Sequence, residues 1–329
     1  MILSNSISFA PRFWWIFRLF VIILCCACLP EAAESQYTPP ERFEFKIRIN
    51  FTQGAERKPV QFERIKGLIV FRARVQGKDV WAILDNLSDG SLLDSGFARA
   101  VGLPMSAPIG PLRTQNGALE RRWIDAVDVA IPGQISMATR LSATDLAFFK
   151  RATGRDISLI VGKELFDSLA FIIYHDDRFE IVLSGSIKVS PGVEAIELGQ
   201  AQGKPLIPVK IDGADAALAL DLGYNGEVTL SDAAWLRTGI TGTSSRSILV
   251  GQTDGLLKLH QATVVRRLSL GSITLSNVEI TRGLSTEGEG ADGLLGMTIL
   301  SQFTVAIDVK ARKLWLLPPP SPGVGKPKR

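Results

Sequence analysis

Cysteine is almost missing from this chain. Of 329 residues only Cys25, Cys26 and Cys28 are cysteine, so everything after residue 28 lacks a thiolate for nucleophilic attack, for zinc or for an iron–sulfur cluster. Histidine is nearly as scarce, with His175 and His260 alone, which leaves metal sites and Ser-His-Asp triads poorly supplied. No stripe of Lys and Arg with interleaved aromatics runs through the sequence, and the net charge is only +4. Nucleic acid is therefore not an expected partner. A phosphate-cradling motif is absent too. Glu287-Gly288-Glu289-Gly290 is glycine-rich but has no lysine, and its two acids repel phosphate, so it reads as a flexible loop and no cofactor is expected. Finally, no uninterrupted apolar run reaches the length of a membrane span.

The longest such run, Leu19 to Leu29, has eleven residues and follows Arg12 and Arg18. That is the form of a signal-peptide core, and it predicts export to the periplasm or beyond. No clean small-x-small cleavage site follows, so residues 1–30 read either as a signal peptide or as a retained N-terminal membrane anchor. The rest has a globular composition, 46% hydrophobic and 21% charged with 30 glycines, and its size allows a core without disulfides.

What fills that body is a pattern that occurs twice. Leu68 to Asp85 reads as a β-hairpin with alternating apolar residues and a turn at Gln76-Gly77-Lys78. The pattern returns from Leu206 to Asp221 around Gly213, and each Asp stands eight residues after its turn glycine. Ile160-Val161-Gly162 follows the first Asp and Leu294-Leu295-Gly296 the second, at 77 and 75 residues to the glycine. Each glycine is followed by a closing hairpin, ending in Phe179 to Leu183 and in Lys313 to Leu317. Short helices are expected near Ser95–Val101, Lys163–Ser168, Ser231–Arg237 and Met297–Gln302. The fold class is mainly β. The expected organisation is a linker and leading strand over 31–65, lobes over 66–190 and 191–318, and a disordered tail over 319–329.

A hairpin ending in Leu-Asp, a helix before Gly102-Leu103 or Gly239-Ile240, and an apolar-apolar-Gly step resemble the retropepsin/pepsin family of aspartic proteases. The second copy carries the resemblance best, through Asp221-Leu222-Gly223 and Asp292 to Leu300. The chain looks like the exported bacterial members with retropepsin-like units, and the resemblance covers roughly residues 66 to 318. The resemblance implies a bilobal acid-protease fold, a monomer, a polypeptide substrate or bound peptide, and Asp85 and Asp221 as a dyad that shares one proton and activates water. The acid-protease dyad is the standard illustration of that chemistry. It also implies supporting roles for the residues after each Asp (Asn86 and Leu87; Leu222 and Gly223) and for Gly162 and Gly296.

Two departures from the family pattern stand out. Members have Thr or Ser and then Gly after each Asp. Here copy two keeps Gly223 but has Leu222, and copy one has Asn86 and Leu87. Asn86 is able to replace some of the missing hydrogen bonds, and Ser88-Asp89-Gly90 to supply a shifted turn. A flap hairpin is expected about thirty residues after each Asp, at Asn116-Gly117 and Asp254-Gly255. Asp292, Asp308 and His260 read as structural residues, and His175-Asp176-Asp177 as a solvated turn. Two functions stay open: an aspartic endopeptidase, and an inactive pseudoprotease serving as a peptide-binding or scaffold module of the cell envelope.

Overall fold

The computed structural model describes residues 47–114, 117–240, 245–251, 257–283 and 290–319. The chain divides into two compact units, Met1–Glu44 and Phe45–Arg329, and every described residue lies in the second. The N-terminal apolar segment, the loop at 287–289 and the tail from 320 lie outside the described residues. Among the described residues no helix is long and apolar enough to cross a membrane.

The first half contributes β1 (Arg48–Phe51), β2 (Val60–Ile65), β3 (Leu68–Val75), β4 (Lys78–Leu84), β5 (Leu92–Asp94), β6 (Pro108–Thr114), β7 (Gly117–Ile131), β8 (Ile135–Thr144), β9 (Ile157–Val161), β10 (Leu169–Tyr174) and β11 (Arg178–Leu183). Its helices are α1 (Ser95–Ala100), α2 (Phe148–Thr153) and α3 (Lys163–Phe166). The second half contributes β12 (Ile196–Glu197), β13 (Gly199–Ala201), β14 (Lys204–Ile211), β15 (Ala214–Leu220), β16 (Val228–Leu230), β17 (Arg246–Gly251), β18 (Leu257–Leu270), β19 (Ile273–Arg282), β20 (Gly293–Leu295), β21 (Thr304–Asp308) and β22 (Lys313–Leu317). Its helices are α4 (Asp232–Arg237) and α5 (Met297–Leu300). The protein is mainly β, with two sheets in a bilobal acid-protease-like architecture.

Alternation explains the strands. In β3 the buried residues Ile69, Phe71, Ala73 and Val75 point to one side, and β14 has the same order of buried and exposed positions. Two-residue turns join each hairpin. Gln76-Gly77 and Asp212-Gly213 all have positive φ, the conformation that matches strand twist in a tight hairpin. Strands follow the order β3-β4-β9-β5-β8-β7-β6 in one lobe and β14-β15-β20-β16-β19-β18-β17 in the other, with β3–β7 and β14–β18 as extra pairings. In both, the strand that leads to the aspartate lies parallel to the apolar-apolar-Gly strand, β4 to β9 and β15 to β20.

The ordered body begins before residue 66. β1 pairs with β8, and β2 pairs with both β3 and β11, because Val60 and Phe62 belong to the buried core. A shared ladder joins the halves: β10 and β21 are antiparallel, with Phe171 opposite Ile307, Ile172 opposite Ala306 and Ile173 opposite Val305. Beneath it, Phe166 and Phe171 stack at 4.0 Å, and Phe71 meets Phe179 edge-on at 5.0 Å. Phe171 is wholly buried. Phe171→Ala is expected to cost about 3–5 kcal/mol of unfolding free energy, as the lost ring leaves a cavity that only partly collapses; urea unfolding measures it.

Candidate active site

Both aspartates sit one residue past the end of a strand and are still held in its ladder. Asp85 donates its backbone N–H to the Val161 carbonyl and Asp221 to the Leu295 carbonyl, each at 3.0 Å. Side chains alternate along a strand, so Trp81, Ile83 and Asp85 share one face of β4, while Val80, Ala82 and Leu84 enter the main core. Ala217, Ala219 and Asp221 share the matching face of β15, and Leu218 and Leu220 are buried on the other.

The two carboxylates meet around Gly223. Its N–H donates to Asp221 Oδ1 at 2.8 Å, while a Cβ placed on its other side would lie 2.8 Å from Asp85 Cγ. Any side chain there would collide with the Asp85 carboxylate, so this position must be glycine for the loops to close. Asp85 Oδ1 accepts the N–H groups of Leu87 and Ser88, both at 3.1 Å.

Asn86 locks the loops together. It is 1% exposed and reaches into the other half, where Nδ2 donates to the Leu220 carbonyl and Oδ1 accepts from the Leu222 N–H, both at 2.8 Å. These are the backbone groups on either side of Asp221. One amide thus binds the residues before and after the opposing aspartate, a task that needs a donor and an acceptor in one side chain. Leu222 is buried in the core and has nothing to return, so the brace is one-sided.

Behind the aspartate loops, Gly162 lies against the Gly90–Ser91 backbone and Gly296 against Gly226 and Tyr224, too close in both cases for a Cβ. Ser91 Oγ accepts from the Gly162 N–H at 2.9 Å. The shifted turn after Asp85 forms, with Ser88 N–H bonded to the Asp85 carbonyl and Ser88 Oγ to the Gly90 carbonyl.

Electrostatics separate the two acids. Burial pushes the Asp85 carboxyl up, opposed by the Leu87 and Ser88 amides and aided by the charge of Asp89. Asp221 is pushed up to about 7, first by burial and then by the negative charge of Asp85; the Gly223 and Tyr224 amides and Lys204 pull the other way. Both keep part of their surface open to solvent. Both carboxyls are thus pushed up, and two acids coupled in this way titrate as a pair.

Residues 207–299 match the family model described as aspartyl protease. The matched segment runs from β14 to α5 and includes Asp221, Leu222, Gly223 and Gly296, and it supports the aspartic protease family. No curated protein matches the chain.

Asp85 and Asn86 lie outside the matched segment and reach it through Gly223, Leu220 and Leu222. Gly117 begins β7, which pairs with β6, and β17 pairs with β18. Asn116, Asp254 and Gly255, the other expected flap residues, lie outside the described residues. Leu87 is half-buried against an apolar cluster of the second lobe that includes Ala219 and Leu294. Asp308 is fully buried and accepts from Ser184 Oγ, Gly185 N–H and Ala311 N–H. Asp292 accepts from the Ala217 N–H and pairs with Arg237. His260 donates Nδ1–H to the Arg282 carbonyl at 3.0 Å, and His175 is exposed in a turn. Among the described residues no group of three or more His, Cys, Asp or Glu is placed to hold a metal.

One support went unread in the sequence. Glu164 accepts the Ser91 N–H at 2.8 Å, and burial raises its carboxyl. Thr298 holds the corresponding position in the other half with the opposite polarity, its hydroxyl donating to the Asn225 carbonyl at 2.6 Å. Both stand two residues after the apolar-apolar-Gly glycine, and that shared offset was the available signal.

Asn86→Ala should cost about 1–3 kcal/mol for each backbone group it orphans, read by chemical denaturation. The pH dependence has a definite sign. Asp221 is raised from 3.8 to about 7 on folding, so the folded state holds the extra proton, and stability is lost as pH rises through that interval. Asp221→Asn is expected to melt above the wild type at pH 8, with the gap narrowing towards pH 4.

Proposed function

We propose that the chain is an aspartic endopeptidase that hydrolyses peptide bonds with a water activated between Asp85 and Asp221. One observation carries the reading: the Asn86 brace ties the Asp85 loop to the backbone on both sides of Asp221, and Gly223 lies against both carboxylates. Maintaining adjacent acids against their repulsion serves no packing purpose, and a structural role would be met more cheaply by apolar residues. In the single-proton state, ionised Asp85 takes a proton from water as its oxygen attacks the substrate carbonyl. Asp221 gives its proton to the carbonyl oxygen, and the resulting tetrahedral diol collapses with a proton passing to the leaving nitrogen.

The two lobes are read as tandem copies, which would complete the site within a monomer. The arginine-flanked apolar segment at the N-terminus supports export to the periplasm or outside, with a membrane tether if it is retained. An inactive peptide-binding or scaffold protein of the envelope is the second reading. It draws on Leu87 and Leu222, where the family resemblance calls for glycine and a hydroxyl.

Cleavage of a denatured protein substrate by the full-length chain discriminates between them. Activity should be highest on the acid side and fall as pH passes about 7, where Asp221 loses its proton. Asp85→Asn and Asp221→Asn should each lower turnover by about 10²–10⁴-fold. Cleavage that is equal in wild type and Asp221→Asn would exclude the dyad as its source, and no cleavage at any pH by folded wild type would favour the binding module.

A further inference from the structure

The faces that carry the two aspartates are not alike. On β4 the residues leading to Asp85 are Trp81 and Ile83, and Phe148 and Phe149 of α2 pack with them. On β15 the matching positions before Asp221 are Ala217 and Ala219, backed by Leu206, Ala291 and Leu294. A bulky wall thus flanks one carboxylate, and an alanine wall flanks the other. The room left by those alanines is where Leu87 packs. Leu87 follows the brace residue Asn86, so its backbone is fixed to the second lobe by the Leu220 and Leu222 hydrogen bonds. It remains half-exposed, as does Ala217, so the alanine wall faces space that a ligand can reach, whereas Ile83 is buried and Arg72 and Arg155 lie over the Trp81 ring.

We infer that Leu87 determines specificity: it fills the alanine-walled space beside Asp221, so that the substrate residue lying there must be small. The inference rests on the proposed peptidase reading for its position relative to the cut bond. A peptide bond centred on the two carboxylates has one flanking residue on each wall. The residue on the Asp221 side meets Leu87 and is held to Gly, Ala or Ser, while the other lies on the Asp85 side, away from Leu87. Removing Leu87's methyl groups leaves a hollow lined by Ala217, Ala219 and Leu294, which favours a large apolar residue, since each extra buried methylene changes discrimination by about tenfold or more.

The test is to digest a random decapeptide library with the full-length wild type, Leu87→Ala and Ala217→Leu, and to map the cut sites by mass spectrometry. Wild type should show small residues at one flanking position. Leu87→Ala should raise Leu, Phe and Met there by about tenfold and leave the opposite flank unchanged. Ala217→Leu, which fills the wall further, should move the same position towards Gly, and it carries the test if Leu87→Ala does not fold. Unchanged profiles in folded variants overturn the inference. If wild type cuts nothing, the peptidase reading fails separately, and the same library is passed over the immobilised proteins. Selective retention of large apolar peptides by Leu87→Ala then supports the role of Leu87 at the wall; equal retention by all three, or none, overturns it.

Discussion

Two acids buried side by side repel one another as soon as both ionise, and the loops bearing them separate unless something holds them. Asn86 is that restraint. Its amide supplies a donor and an acceptor to the backbone on both sides of Asp221, in a place from which water is excluded and where an unmade hydrogen bond is costly. Gly223 lets the loops approach, and the amides of Leu87, Ser88 and Gly223 stabilise the negative charge that remains. The raised affinity of Asp221 for a proton follows from burial, with the nearby charge of Asp85 adding to it.

A restraint from one side only makes the halves unequal. The first lobe reaches across with Asn86 and Leu87, and the second receives them with backbone groups and alanines. Leu87 in place of glycine is accommodated because its side chain has somewhere to go: Ala217 and Ala219 stand where the first lobe has Trp81 and Ile83. The small residues of β15 thus leave room for the Leu87 side chain from the other lobe.

Much of this was legible in the sequence. Alternating apolar residues and two-residue turns gave away β3–β4 and β14–β15, and the residue spacing put both aspartates at strand ends. All four expected short helices are present. The reach of Asn86 was not legible, because its partners are backbone atoms 134 and 136 residues away, and nothing in local pattern encodes which carbonyl a side chain will meet. The same holds for Leu87, whose identity conflicts with the family rule until the alanines of another strand are placed beside it. A leading strand was expected before residue 66, and β2 forms a hairpin with β3 there; the partner of β1 lies far along the chain in β8 and was not legible.

The ladder between β10 and β21 has a consequence for how this protein is assembled and lost. It is a seam of main-chain hydrogen bonds, so neither half has a finished boundary of its own. Pulling one away bares a row of unpaired amides and carbonyls together with Phe171 and Ile307, which are wholly buried in the intact body. A ribosome releasing the first half first would therefore leave an open edge waiting on some hundred and thirty residues still to be made (the distance from Ile172 to Ala306).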